Sequence, residues 1–144
     1  MNSAFIDSNV IIKYFQGDEN AKKLLEPVIS GAIVGYINNI VFSEVVYYFI
    51  KNKTGLRAYD FKKNPEIVKS VIEELEDLIV FIKQFTELEI NDEVKDQAVS
   101  LIKKYGILPN DALIMATCLH YGVSIIFSSD EDLKEVSGLT VKRL

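Results

Sequence analysis

The sequence predicts an α/β domain of three layers, a mainly parallel central sheet with helices on both faces. Three observations carry that expectation. Short apolar segments of strand length are each separated by segments of helical length. No turn signal joins any two of them as a hairpin. The length of 144 residues, with no repeat, low-complexity tract or dividing linker, fits one core and one domain over 1–144.

Residues 4–7, Ala-Phe-Ile-Asp, read as a short buried strand ending in a carboxylate. Ser8 can cap a helix running to Gln16, which Gly17 stops. Residues 20–30 read as helical despite Pro27, with Gly31 as the stop, and 32–37 as the second strand. Asn38 or Asn39 then caps a strongly apolar helix to about Lys53, ended by Gly55. Residues 51–65 read as a loop, in which Lys51, Lys53, Arg57, Lys62 and Lys63 face Asp60 alone. From Pro65 to about Phe85, Ile67, Val71, Leu75, Leu78, Ile79 and Ile82 recur every three or four positions, the mark of one long helix. Residues 87–90 form a third, short strand candidate. Asp92 caps a helix to Tyr105 before Gly106, and Pro109 opens another to Tyr121 before Gly122. Residues 123–127 are the clearest buried strand, followed by a helical turn from Ser129 and a last strand over 139–144.

Composition removes several kinds of chemistry. The single cysteine, Cys118, can make neither an internal disulfide nor a zinc site. With one histidine, His120, a histidine-pair ribonuclease mechanism is excluded within one chain. Both residues sit in a segment rich in Ala, Leu, Ile and Met, where a structural role is expected. The longest apolar run, residues 45–50, falls far short of the roughly 18 residues that span a membrane. Asp7 interrupts what would be the apolar part of a signal peptide, so a cytoplasmic protein is expected. The net charge of −5 is unevenly spread: residues 60–100 hold eleven acids and five bases, and the rest of the chain eleven bases and ten acids. A usable basic face is therefore compatible with an acidic chain.

In parallel α/β sheets ligands bind beyond the carboxyl ends of the strands. Asp7 ends the first strand there, and Asp130 lies just past the strand over 123–127. Asp111 falls in the first turn of the helix that Pro109 opens. Glu44 has Ile40, Val41, Tyr47 and Tyr48 as helical neighbours, a costly surround for a carboxylate without a strong partner. Each acid also has a structural explanation. Asp111 and Asp130 would favour helix N-termini, Asp7 could cap the helix after it, and Glu44 could snorkel to solvent or pair with a lysine. Taken together, acids without a balancing arginine point to a divalent-cation site with oxygen ligands.

Four segments carry a family resemblance: Phe5-Ile6-Asp7-Ser8-Asn9-Val10, Ser43-Glu44-Val45, the run from Leu108 through Pro109, Asn110 and Asp111 to Ile114, and the run from Phe127 through Ser128, Ser129 and Asp130 to Leu133. In content and order they resemble the four motifs of the PIN domain, and the chain looks most like its VapC-type toxin ribonucleases. The resemblance implies the PIN-like form of the three-layer fold. It makes Asp7, Glu44, Asp111 and Asp130 the catalytic, metal-holding acids for one or two Mg²⁺ or Mn²⁺ ions. Ser128 matches the small hydroxyl residue that helps order such a site, Ser8 or Asn9 the polar residue after the first acid, and Asp132 a further acid for which a helix-start role is favoured. The activity implied is cleavage of RNA by metal-activated water, leaving a 5′-phosphate. A cognate antitoxin and a homodimer are the implied protein partners.

Lys13, Lys51, Lys53 and Arg57, with Lys103 and Lys104, are candidate phosphate contacts, although each would also serve as an ordinary solvated cation. Tyr59 could stack on bases, as could Tyr14, Tyr47 and Tyr48, for which core or dimer packing is favoured. The run Tyr47-Tyr48-Phe49-Ile50 exceeds what one helix face can bury, which suggests a partner surface. Two alternatives stay open: an RNA-processing nuclease without a toxin role, and a non-catalytic RNA-binding module.

Overall fold

The strand order explains where the functional edge lies. In the computed structural model, which describes residues 2–131, 133, 136 and 138–144, five strands form one sheet in the order β3-β2-β1-β4-β5. They are β1 (Ser3–Ile6), β2 (Val34–Ile37), β3 (Thr86–Glu87), β4 (Ile125–Phe127) and β5 (Thr140–Lys142). Every pairing is parallel, with β1 flanked by β2 and β4 through Phe5↔Tyr36 and Phe5↔Ile126. The expected mainly parallel sheet is thus wholly parallel, as its hairpin-free sequence requires. The chain winds outward from β1 to β3 and then crosses back to β4, so the connections before and after that reversal cover opposite faces. A crevice opens at such a reversal, here beyond the carboxyl ends of β1 and β4.

Before the reversal lie α1 (Ser8–Phe15), α2 (Glu19–Ile29), α3 (Asn39–Thr54), α4 (Ala58–Lys63), α5 (Pro65–Lys69) and α6 (Ile72–Ile82). After it come α7 (Asp92–Tyr105) and α8 (Pro109–Tyr121), which pack against each other. The core is continuous from the central strands (Phe5, Ile6, Ile126, Phe127) to the helical residues Ile11, Leu25, Val41, Leu78, Ile114 and Met115. Gly35 of β2 is a packing requirement: a Cβ there would stand 2.6 Å from Val28 and 2.8 Å from the Phe85 ring.

Several boundaries differ from expectation, each for a local reason. Residues 51–65 are not simply a loop. Here α3 continues to Thr54, where Gly55 ends it at φ 71°, and α4 follows, its Asp60 carboxylate accepting from the Arg57 N–H at 3.4 Å. The helix expected from Pro65 to Phe85 is broken into α5 and α6. At the break the Ser70 hydroxyl donates to the Ile67 carbonyl, competing with the helical backbone. Asp7, not Ser8, caps α1 by accepting from the Ser8 N–H. Asn91, not Asp92, caps α7 through the Val94 N–H at 2.9 Å. The second, third, fourth and fifth strands are shorter than expected. After Ser129 a turn closes through the Leu133 N–H and the Asp130 carbonyl at 3.3 Å. Asp132 lies outside the described residues.

Candidate active site

The site is built on the ends of the two central strands. Where β1 stops, the Asp7 N–H still donates to the Phe127 carbonyl at 2.9 Å, fixing Asp7 beside the end of β4. Its side chain is only 6% exposed and has three donors. The Ser8 N–H reaches one oxygen at 2.8 Å; the Ser128 hydroxyl and the Asn9 amide reach the other at 2.7 and 3.2 Å. Ser128 is fully buried, and its oxygen also accepts from the Asp130 N–H at 3.0 Å and the Asn9 amide at 3.3 Å. Asn9 in turn accepts from the Ser129 N–H at 2.8 Å. Residues more than a hundred positions apart thus hold the turn after β4 against the turn after β1.

Glu44 and Asp111 arrive on helices. Asn38 caps α3 through the Val41 N–H at 3.1 Å and donates to the Thr117 hydroxyl of α8 at 3.0 Å. That hydroxyl donates to the Leu113 carbonyl at 2.7 Å. This buried chain ties the start of α3 to the middle of α8, so Glu44 and Asp111 are carried by coupled elements. The Ser8 hydroxyl donates to Glu44 at 3.3 Å. Glu44 pairs with no lysine among the described residues.

Asp7, Glu44, Asp111 and Asp130 all line one cavity of about 320 Å³, with Ser8, Asn9 and Lys13. Burial pushes the Asp7 carboxyl above its ordinary value, and Asp130 adds to the rise against the lowering effect of its hydrogen bonds. Glu44 is also raised, first by burial, then by the charges of Asp7 and Asp111, while Ser8 and Asn110 oppose the shift. The cavity therefore concentrates negative charge that burial and mutual repulsion make costly.

A hard divalent cation is the partner that such an all-oxygen donor set suits. Among the described residues no group of three or more acids is gathered closely enough to grip one ion together. Mg²⁺ does not require that, because it keeps several waters and takes only one or two carboxylates directly. The residues present fit the cation.

Of the expected phosphate contacts, Lys13 lines the acid cavity and Lys53 an adjoining one. Lys51 stands over the Tyr48 ring at 5.8 Å, and Lys51 and Arg57 line neither cavity. Tyr14 stacks on Phe81 at 4.7 Å, a packing role. Tyr47 packs against Phe61 of α4 at 5.7 Å, and Tyr48, 40% exposed, lines the acid cavity. Part of the apolar excess on this helix is thus taken up within the chain. Cys118 is buried, its thiol pushed far upward by burial, and His120 faces Asn91 and Glu93 away from the acids. Sequence reasoning missed Asn110, Gln16 and Asn52, which touch Glu44 or line the cavity. Asn110 was legible as the residue before Asp111 in the first turn of α8; Gln16 and Asn52 carry no comparable signal.

With this geometry in hand, the family model that matches residues 4–139 is that of the PIN domain. The chain belongs to the PIN domain family. It is 43% identical over 140 residues to Ribonuclease VapC2 of Methanocaldococcus jannaschii, covering 97% of this chain and 93% of that protein. It is 36% identical to Ribonuclease VapC6 of the same organism, covering 97% and 96%. A toxin-antitoxin complex from Klebsiella pneumoniae contains a chain with the same fold, at a TM-score of 0.62 and 21% identity over 95% of each. The PIN fold expected from four short motifs is therefore the fold observed. No helix among the described residues of this PIN domain is long and apolar enough to cross a membrane.

Proposed function

We propose that this PIN domain is a Mg²⁺- or Mn²⁺-dependent endoribonuclease, the cytoplasmic toxin of a toxin–antitoxin pair. The observation that carries the reading is the convergence of Asp7, Glu44, Asp111 and Asp130 on one cavity at the carboxyl edge of the sheet. The two VapC relatives, named as ribonucleases, support it. The neighbouring fold in a toxin-antitoxin complex supports a protein inhibitor as partner.

The four acids would hold one or two cations, which when bound neutralise charge on the phosphodiester and make an attacking water more acidic. The chain's own residues do the rest. Asp7 is kept in one orientation by Ser8, Asn9 and Ser128. Ser128 holds the Asp130 backbone. Lys13, on the cavity wall, offers a cation to a phosphate. No histidine pair is needed, and the products would carry 5′-phosphates.

Incubation with total RNA and either metal, with and without chelator, tests this. Cleavage that requires the metal, with 5′-phosphate ends, is expected. Cleavage persisting in excess chelator, or 2′,3′-cyclic phosphate ends, would refute the mechanism. Binding without any cleavage would favour the RNA-binding alternative. Self-association belongs to the same reading, since Phe42 and Tyr48 of α3 remain exposed. Sedimentation at micromolar concentration should show a dimer, and a monomer would remove that part.

A further inference from the structure

We propose that the groove beside the acid cavity is a nucleobase subsite that selects an amino-bearing base, guanine first, next to the bond being cut. The inference rests on the ribonuclease reading above and names what that site would recognise. A second cavity of about 300 Å³ shares Ile12, Gln16 and Asn52 with the acid cavity, so one strand can occupy both. Its remaining walls are the Phe15 and Phe49 rings, Lys53, and Glu74 and Asp77 of α6.

The chemistry of those walls decides which part of a nucleotide enters. Glu74 and Asp77 repel a phosphate, so the backbone stays with the acid cavity and its cation while the base turns toward α6. Phe15, 37% exposed, offers ring surface for stacking, the usual way an unpaired base is held. Ionised carboxylates only accept hydrogen bonds. They therefore favour an edge rich in N–H groups, such as the ring N–H and 2-amino group of guanine. Uracil presents one N–H between two carbonyls, and those carbonyls would face the carboxylates. Gln16 and Asn52, at the shared wall, can donate or accept as the base requires. Lys53 is held to Glu74 at 3.8 Å with both side chains about half exposed, a weak restraint that leaves the lysine available to the incoming strand.

The test uses the full chain with Ca²⁺ in place of Mg²⁺, so that a cation still holds the backbone while cutting is slowed, and labelled uridine heptanucleotides with one guanosine moved through each position. Fluorescence anisotropy should show about tenfold tighter binding when guanosine occupies one fixed position. A Glu74→Gln/Asp77→Asn variant, folded by circular dichroism, should bind all the oligonucleotides within about twofold of one another. With Mg²⁺ or Mn²⁺ instead, cut sites of the parent should lie at a constant distance from a guanine, and those of the variant should not. Equal affinities in the parent, undetectable binding of every probe included, would overturn the subsite and leave the groove to an apolar protein segment. A guanine preference that survives in the variant would also overturn it. A parent that cuts no RNA but still prefers guanosine would refute the ribonuclease reading alone.

Discussion

Replacing Glu44 by Gln separates a metal ligand from a structural carboxylate, because the two roles predict opposite results. Glu44 is half-buried and raised by burial and by the charges of Asp7 and Asp111, with no lysine to neutralise it among the described residues. Gln keeps the shape and an oxygen that can accept from the Ser8 hydroxyl, now at 3.3 Å. The most the substitution can remove is therefore one hydrogen bond, about 1 kcal/mol, offset by relief of repulsion. The metal-free variant should melt within a few degrees of the parent or above it. The response to metal should differ. At a free Mg²⁺ concentration of about 100 times the parent Kd, binding stabilises by about 2.7 kcal/mol. For a domain of this size that raises the melting temperature by about 8 °C. If loss of one ligand weakens affinity about tenfold, the stabilisation falls to about 1.4 kcal/mol and the rise to about 4 °C. Thermal melts of both proteins in chelator and in Mg²⁺ read all four values. A variant destabilised by about 3 kcal/mol, as breaking a buried ion pair would do, with an undiminished Mg²⁺ response would refute the four-acid site.

Ser128→Ala should lower stability by about 2–3 kcal/mol in urea, because it strips Asp7 of its shortest hydrogen bond and leaves the Asp130 N–H without its acceptor. The same variant should lose about 10- to 100-fold in divalent-ion affinity by calorimetry, the cost of losing a group that orients a ligand. Gly35→Ala should cost about 1–3 kcal/mol, since its Cβ would press on Val28 and Phe85, and a shifted urea midpoint with unchanged slope checks it. Asp7 and Glu44 are raised in the folded state, so the metal-free native protein holds protons that the unfolded chain has released. The stability these groups contribute is complete below their unfolded values and is lost as pH rises through the raised ones. Asp7→Asn removes the part due to Asp7, so its melting temperature relative to the parent should rise as pH climbs from the ordinary aspartate value of 3.8 through the raised one. A difference constant across that range would contradict the reading.

The sequence made the strand-end acids legible for a simple reason. Asp7 directly follows one apolar run and Asp130 lies two serines past another; the absence of hairpins made those runs parallel, so both acids had to lie at one edge. Glu44 stood out as a charge among apolar helical neighbours, and Asp111 followed a proline that opens a helix. The turn residues between elements were equally readable, as Gly55, Gly106 and Gly122 all adopt positive φ after the helices they end. What stayed hidden depends on contacts between distant segments. The six residues of α4 contain no fully buried side chain, and Phe61 reaches Tyr47 only after the fold has formed. The break between α5 and α6, where the Ser70 hydroxyl donates to the Ile67 carbonyl, is concealed by the unbroken three-to-four periodicity of the apolar residues. Gln16, just past the end of α1, and Asn52 of α3 meet at a cavity wall, and no spacing within either helix announces that.

The hydrogen bonds that close the site join Asp7 and Asn9 to Ser128 and Ser129, spanning 119 to 121 positions. A chain emerging from the ribosome exposes the central strand first and its partner β4 only after most of the domain has been made. Until then Asp7 lacks the hydroxyl that orients it, and the fourth carboxylate has not been synthesised. During its own translation the polypeptide therefore carries three acids and no finished cavity. The cavity is thus completed only once the turn after β4 has been made and has docked beside the end of β1.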